Sequence, residues 1–177
     1  MQGLLMVHTG DGKGKTTAAL GLALRAFGAG LKVLILQFIK GRADCGELNA
    51  IKLLEKIPDC EGKIKIQQCG LGFIDKKNFD EHKKIAQETL KLAEKEILSG
   101  EWDLIILDEI NYAVKFNLIS ETEILNLIKK RPPKLHLLLT GRDAQKKIIK
   151  SADLVTEMTL IKHPFQQGIK AQRGIEF

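Results

Sequence analysis

Sulfur is scarce in this chain, and the few cysteines present are not arranged for chemistry. Cys45, Cys60 and Cys69 are widely spaced, odd in number and never in a C-x-x-C pair. That pattern argues against a disulfide framework, a zinc site and a dithiol redox centre; reduced, mostly structural thiols are expected. Long apolar runs are missing as well. The first is interrupted by glycines, and none reaches the roughly 18 residues that a membrane span needs. No signal-peptide core with a small-residue cleavage site precedes it, so a cytoplasmic protein with no membrane partner is expected. Aromatic residues make up only 5% of the chain. The formal charge of +6 invites a nucleic-acid reading, but the lysines are scattered, and pairs such as Lys76-Lys77, Lys83-Lys84 and Lys146-Lys147 suit solvated helix faces. An anionic small ligand accounts for part of the basic excess, and no nucleic acid is expected as partner. Repeats, low-complexity tracts and linkers are absent, and 177 residues at 44% hydrophobic suffice for one buried core, so residues 1–177 are expected to form a single domain.

What the chain does have is an alternation of short apolar runs with helical stretches, the pattern of an α/β fold with a mostly parallel sheet and helices on both faces. Strands are predicted at 4–8, 32–38, 63–68, 104–108, 135–140 and 154–160. The first helix is predicted over 16–27, stopping before Gly28 and Gly30. A long one is predicted over 80–98, with Ile85, Ala86, Leu90, Ala93 and Ile97 on one stripe. Ser120 with Glu123 three residues on reads as a capping box for a helix that ends before Pro132. A last helix is predicted over 143–151.

Between the first strand and the first helix lies TGDGKGKTT, Thr9, Gly10, Asp11, Gly12, Lys13, Gly14, Lys15, Thr16 and Thr17. A strand-to-helix turn rich in glycine is the context a phosphate-binding loop requires. The glycines let backbone N–H groups curl around phosphate oxygens, and the helix N-terminus adds the positive end of its dipole. Lys15 is the candidate cation for the phosphates and Thr16 the candidate hydroxyl ligand of Mg²⁺. The pattern G-x-x-x-x-G-K-[ST] is met imperfectly, since its first glycine falls on Thr9. The bland alternative is a glycine-rich turn with surface lysines.

WDLIILDE, residues 102–109, is an apolar strand ending in two carboxylates, which is where nucleotide-binding sheets place the acidic group that positions a metal. Asp108 and Glu109 are therefore metal candidates, against the alternative of a helix N-cap pair.

Further segments are too particular for packing alone: QFIKG at 37–41, Gly46-Glu47, GLGF at 70–73, LDEINYAV at 107–114, LTGRDA at 139–144 and KHPFQQGIKAQRGIEF at 162–177. Together with the glycine loop they closely resemble the P-loop ATP:corrinoid (cob(I)alamin) adenosyltransferases, in the same order over essentially the whole chain. The resemblance implies a RecA-like α/β fold, usually a homodimer, that transfers the 5′-deoxyadenosyl group of ATP to a Co(I) corrinoid and releases tripolyphosphate, with ATP reversed in the loop so that C5′ faces the nucleophile. It also implies Mg²⁺ (or Mn²⁺) held by Thr16 and Glu109 with Asp108 beside them, and a flavoprotein electron donor as a possible partner.

By the same resemblance, Gly10 to Thr17 bind the triphosphate, with Lys13 and Lys15 offsetting the charge of the leaving group, and Lys40 and Arg142 are further candidates for phosphate or nucleotide contacts, or else surface cations at strand ends. Gln37, Glu47 and Asn111 are candidates to line the adenosine or corrin cavity, and His163, Phe165 and Gln172 belong to the C-terminal signature. Phe73 is the candidate to crowd the corrin's lower face, or else it plugs the core beneath a surface loop. The family's G-x-G-F-x-W loop reads Gly70-Leu71-Gly72-Phe73-Ile74-Asp75 here, with only the first aromatic present. Members often carry an N-terminal lid over the corrin; this chain begins almost at its first strand, and the lid is expected to be absent. Two other readings of a phosphate loop stay open at this point: a P-loop ATPase or kinase acting on the γ-phosphate, and a RecA-like nucleotide-dependent nucleic-acid binder.

Overall fold

A computed structural model describes residues 2–41, 45–74 and 77–176. Asp75, Lys76 and Phe177 of the segments above lie outside the described residues. Six strands, β1 (Leu5–Thr9), β2 (Lys32–Gln37), β3 (Lys63–Gln68), β4 (Leu104–Asp108), β5 (His136–Thr140) and β6 (Leu154–Glu157), form one sheet in the order β3-β2-β4-β5-β1-β6. Every pairing is parallel, for example Ile35 opposite Ile106 and Val7 opposite Leu139. The helices are α1 (Lys15–Gly28), α2 (Gly46–Leu54), α3 (Phe79–Leu98), α4 (Ile110–Lys115), α5 (Glu121–Lys130) and α6 (Lys146–Ser151), with a 3₁₀ turn at Pro164–Gln167. Among the described residues no helix is long and apolar enough to cross a membrane.

Side chains alternate across a strand, and here both faces are buried, which is why the central strands read as unbroken apolar runs. Leu34, Leu36, Ile105, Leu107, Leu137 and Leu139 pack on one face with Ala86, Ala93 and Ile97 of α3, Ile110 of α4, Ile124 of α5 and Ile148 of α6. Val33, Ile35, Leu104, Ile106 and Leu138 pack on the other with Ala19, Ala23 and Phe27 of α1 and Ile51 of α2. Each such large aliphatic contributes about 1.5–3 kcal/mol by leaving water. The edge strand β6 is exposed along its whole length.

The boundaries that differ from expectation do so for local reasons. α1 keeps Gly28 inside the helix and ends one residue later, before Gly30 at φ 83°. β6 stops at Glu157 because Met158 is drawn to the glycine loop: its N–H donates to the Thr9 carbonyl at 2.9 Å, and its carbonyl accepts from Gly12 N at 2.7 Å. α6 starts at Lys146, not 143, because Asp143 is left-handed at φ 56° and Ala144 N donates to Thr9 Oγ1 at 3.1 Å. The capping box is present, with Glu123 N donating to Ser120 Oγ and Ser120 N to the Glu123 carboxylate.

The close approach of Met158 makes the loop sensitive to added volume. A Cβ on Gly12 would stand 2.7 Å from the Met158 carbonyl oxygen, whereas one on Gly21, in α1, would meet nothing within 4 Å. Gly12→Ala is therefore expected to destabilise by about 1–3 kcal/mol and to lower the melting temperature by roughly 5 °C. Gly21→Ala is expected to raise it slightly through the unfolded chain's lost freedom. Calorimetry on the two variants checks both signs.

Candidate functional site

The site sits at the carboxyl ends of the strands, where open parallel sheets bind ligands. β1 ends at Thr9 and α1 begins at Lys15, so the loop between them is brought in by two rigid elements. Gly14 precedes the helix at φ 106°, a conformation that only glycine adopts without strain. Lys15 is 6% exposed, and its ammonium lies beneath the loop, donating to the carbonyls of Gly10 and Gly12 at 2.6 Å each. Burial pulls its pKa below the ordinary lysine range, against the opposing charges of Glu109, Asp11 and Asp108.

Asp108 is 1% exposed and committed to three side chains. Its Oδ1 accepts from Thr16 Oγ1 at 2.9 Å and from Thr140 Oγ1 at 2.7 Å, and its Oδ2 accepts from Gln37 Nε2 at 3.1 Å. It therefore acts at the cleft through the Thr16 hydroxyl that it orients. Gln37, expected at the adenosine or corrin cavity, is fully buried, with its Nε2 in this clamp and its Oε1 without a partner among the described residues. Glu109 follows at φ 62°, ψ 21°, a left-handed backbone that costs a non-glycine residue on the order of 1–3 kcal/mol. Its N–H donates to Thr140 Oγ1 at 2.9 Å. Burial first, and then the charge of Asp108, push the Glu109 carboxyl above the usual carboxylate range, with Lys15, Arg142 and Lys40 pulling the other way.

A cleft of about 420 Å³ opens over these groups. Gly12 to Thr17 form one wall, and Lys40, Glu47, Glu109 and Arg142 converge on it from the strand ends and the start of α2. Lys40 Nζ lies 2.5 Å from Glu47 Oε1. Burial alone would depress the Lys40 pKa and raise that of Glu47; their mutual hydrogen bond and attraction outweigh it, leaving Lys40 raised and Glu47 lowered. Thr9, Gly10 and Asp11, expected with the triphosphate, border a second cavity with Asp143 and Glu157.

The tail supplies lining that sequence reasoning missed. Gly174, Ile175 and Glu176 border the cleft, and Glu176 Oε2 lies 2.9 Å from Lys13 Nζ. The carbonyl of Gln172 accepts from Ile175 N and Glu176 N, so this signature residue shapes the turn that carries Glu176 there. His163 Nδ1 accepts from Phe165 N, a local cap, and Phe165 is 76% exposed. Asn111, expected at the corrin cavity, is fully buried against Gly141, with neither side-chain polar atom partnered among the described residues and no surface in the cleft. Phe73 is fully exposed beside Gly72 at φ 98°, which overturns the reading that it plugs the core.

Among the described residues no three His, Cys, Asp or Glu side chains converge to hold a metal. The Thr16 hydroxyl and the Glu109 carboxylate, both on the cleft, are nevertheless hard oxygen donors. Mg²⁺ commonly takes one or two protein ligands and draws the rest from substrate phosphates and water. The donor set thus fits an ion that arrives with a triphosphate.

Glycine loop, buried lysine and oriented threonine on a parallel sheet define a P-loop nucleotide-binding α/β protein. A crystal structure of the RadB recombinase superposes with a TM-score of 0.50 at 16% identity, covering 91% of this chain and 77% of that one, a likeness of fold. The chain belongs to the ATP:corrinoid adenosyltransferase family BtuR/CobO/CobP, whose model matches residues 1–177. It is 39% identical to the corrinoid adenosyltransferase of Pseudomonas aeruginosa, over 99% of this chain and 84% of that protein. The Escherichia coli K12 enzyme of the same name is 36% identical over 99% and 86%, and the Salmonella typhimurium corrinoid adenosyltransferase CobA 34% identical over 99% and 86%. These relatives support adenosyl transfer over the ATPase, kinase and nucleic-acid readings.

Proposed function

We propose that this enzyme carries out adenosyl transfer in the cleft between the glycine loop and the ends of β2, β4 and β5, with Mg²⁺ bound at Thr16 and Glu109. The observation that carries this reading is the set of groups on one cleft: Lys15 beneath the loop, Thr16 oriented by Asp108, and Glu109, Lys40 and Arg142 facing them.

Attack by Co(I) on C5′ forms the Co–C bond, breaks the C5′–O bond and sends that electron pair to the bridging oxygen, so cobalt is formally oxidised to Co(III) and tripolyphosphate leaves. Cobalt carries no proton, and no general base is called for. The demand is on groups that stabilise charge gathering on the leaving phosphates, which Lys13, Lys15, Arg142 and the loop N–H groups supply. Bound Mg²⁺ would add Lewis-acid neutralisation of the same charge. A homodimer, a flavoprotein donor for Co(I) and a cytoplasmic location complete the proposal.

Product analysis with ATP, Mg²⁺ and a chemically reduced corrinoid tests it. Tripolyphosphate and an adenosylated cobalt in equal amounts are expected; orthophosphate formed without corrinoid overturns the assignment. Full exposure also makes Phe73 separable from stability. Phe73→Ala is expected to leave the melting temperature within the small range of surface changes. It should slow turnover of cobalamin far more than of cobinamide, which has no lower base to displace. Equal losses on both corrinoids would remove Phe73 from the axial face.

A further inference from the structure

The loop that brings Lys40 to the cleft is locked through its backbone to the loop that follows β3. Beyond the paired ends of β2 and β3, Cys69 N donates to the Gln37 carbonyl at 2.9 Å, Gly70 N to the Lys40 carbonyl at 3.1 Å and Gly72 N to the Ile39 carbonyl at 2.8 Å. The approach is as close as backbones allow. A Cβ on Gly70 would run into the Ile39 carbonyl group, and one on Gly41 would stand 2.8 Å from the Leu71 carbonyl carbon. One unit therefore has two ends: the Lys40 ammonium in the nucleotide cleft, held by Glu47, and Phe73 in open solvent outside it.

We propose that Lys40 is a positioning residue that couples the two substrates: its side chain answers the nucleotide, and its backbone carries the Gly70–Phe73 loop toward the corrin. This rests on the adenosyltransferase reading. In the structure the Lys40 ammonium pairs with Glu47 on α2. A triphosphate entering the cleft offers stronger anionic acceptors, and any shift of the 37–41 segment as Lys40 turns to them moves the Gly70 loop bonded to its carbonyl. The loop then stands differently with nucleotide than without, so nucleotide and corrinoid change each other's affinity by one shared factor.

The test measures that factor with cob(II)alamin, one electron short of the nucleophile, so that binding is read without turnover. Its dissociation constant is determined anaerobically with and without Mg·ATP, in the wild-type enzyme, Lys40→Met and Gly70→Ala. A wild-type coupling of roughly 5-fold or more is expected, falling to within about twofold of unity in both variants. The variants differ elsewhere. Lys40→Met removes the ammonium from the cleft and should weaken ATP binding strongly, whereas Gly70→Ala, which keeps every cleft side chain, should weaken it much less.

Gly70 has no left-handed φ, so alanine there acts through its close backbone contact with Phe38 and Ile39; if it does not fold, Gly41→Ala separates the same loops from the other side. Phe73→Trp supplies a reporter, whose emission should respond to Mg·ATP alone and lose that response when Lys40→Met is added. Coupling absent in the wild type, or unchanged in either variant, overturns the proposal. If adenosylated product forms while coupling is unaltered, only the coupling role falls; if no product forms, the transferase reading falls with it.

Discussion

Lys15→Ala is expected to slow adenosyl transfer on the order of 10²-fold or more at saturating ATP, with weaker ATP binding besides. Two contributions add. In the free enzyme the ammonium donates to the Gly10 and Gly12 carbonyls at 2.6 Å each, so it also holds the shape of the loop. In the transition state it faces oxygens that gain charge as the C5′–O bond breaks, a contact stronger there than in the ground state and hence felt in kcat. A hundredfold loss corresponds to about 2.7 kcal/mol. Formation of the Co–C bond, followed by absorbance in single turnovers, is the measurement. Turnover like that of the wild type would make Lys15 a loop strut only.

Glu109→Gln is expected to move activity and stability in opposite directions. Losing the anionic donor should weaken Mg²⁺ and lower activity by a factor on the order of 10², with partial rescue by excess Mg²⁺ or Mn²⁺. Stability should rise, because the carboxyl pKa is held up in the fold by burial and by Asp108. A folded-state pKa above the unfolded one means that the associated stability is fully present below the unfolded value and is lost as pH rises through the folded value. At neutral pH wild-type Glu109 is therefore a cost, and glutamine removes it. The melting temperature of the free variant should exceed that of the wild type at pH 7, by roughly 2–4 °C per kcal/mol recovered, and the gap should close as pH falls below the ordinary carboxylate range. Equal melting temperatures at pH 7 would show that the burial cost is met elsewhere, and tight trapping of ATP with only phosphate release lost would mark a hydrolase.

Much of this fold is legible in the chain because its signals are local. β3 and β4 fall on the residues that their apolar runs mark, and the capping box at Ser120 places the start of α5. Two helices give no comparable signal. α4 has six residues and starts from Glu109 in a left-handed conformation, and α2 follows Gly46 with one buried residue, Ile51, too few for a periodic stripe.

In the site, the loop, Lys15, Thr16 and Glu109 are readable from motif and spacing. The clamp on Asp108 is not, because Thr16, Gln37 and Thr140 come from three elements whose proximity depends on strand order. Nor does sequence bring Glu176 to Lys13 across nearly the whole chain. Asn111 shares a motif with Glu109 yet turns into the core, since a helix starting between them rotates successive side chains to different faces.

The place of β1 in the sheet sets when, during synthesis, that strand can first pair. Its neighbours are β5 and β6, and the hydrogen bond from Leu4 N to His136 Nδ1 spans 132 residues. A ribosome adding 5–20 residues per second needs about 7–26 s to deliver that partner. Until then the apolar strand that carries the glycine loop has no sheet to join. Contacts that distant are slow to form, so the nascent chain gains its grip on nucleotide only once β5 and β6 are made and Met158 arrives to brace the loop.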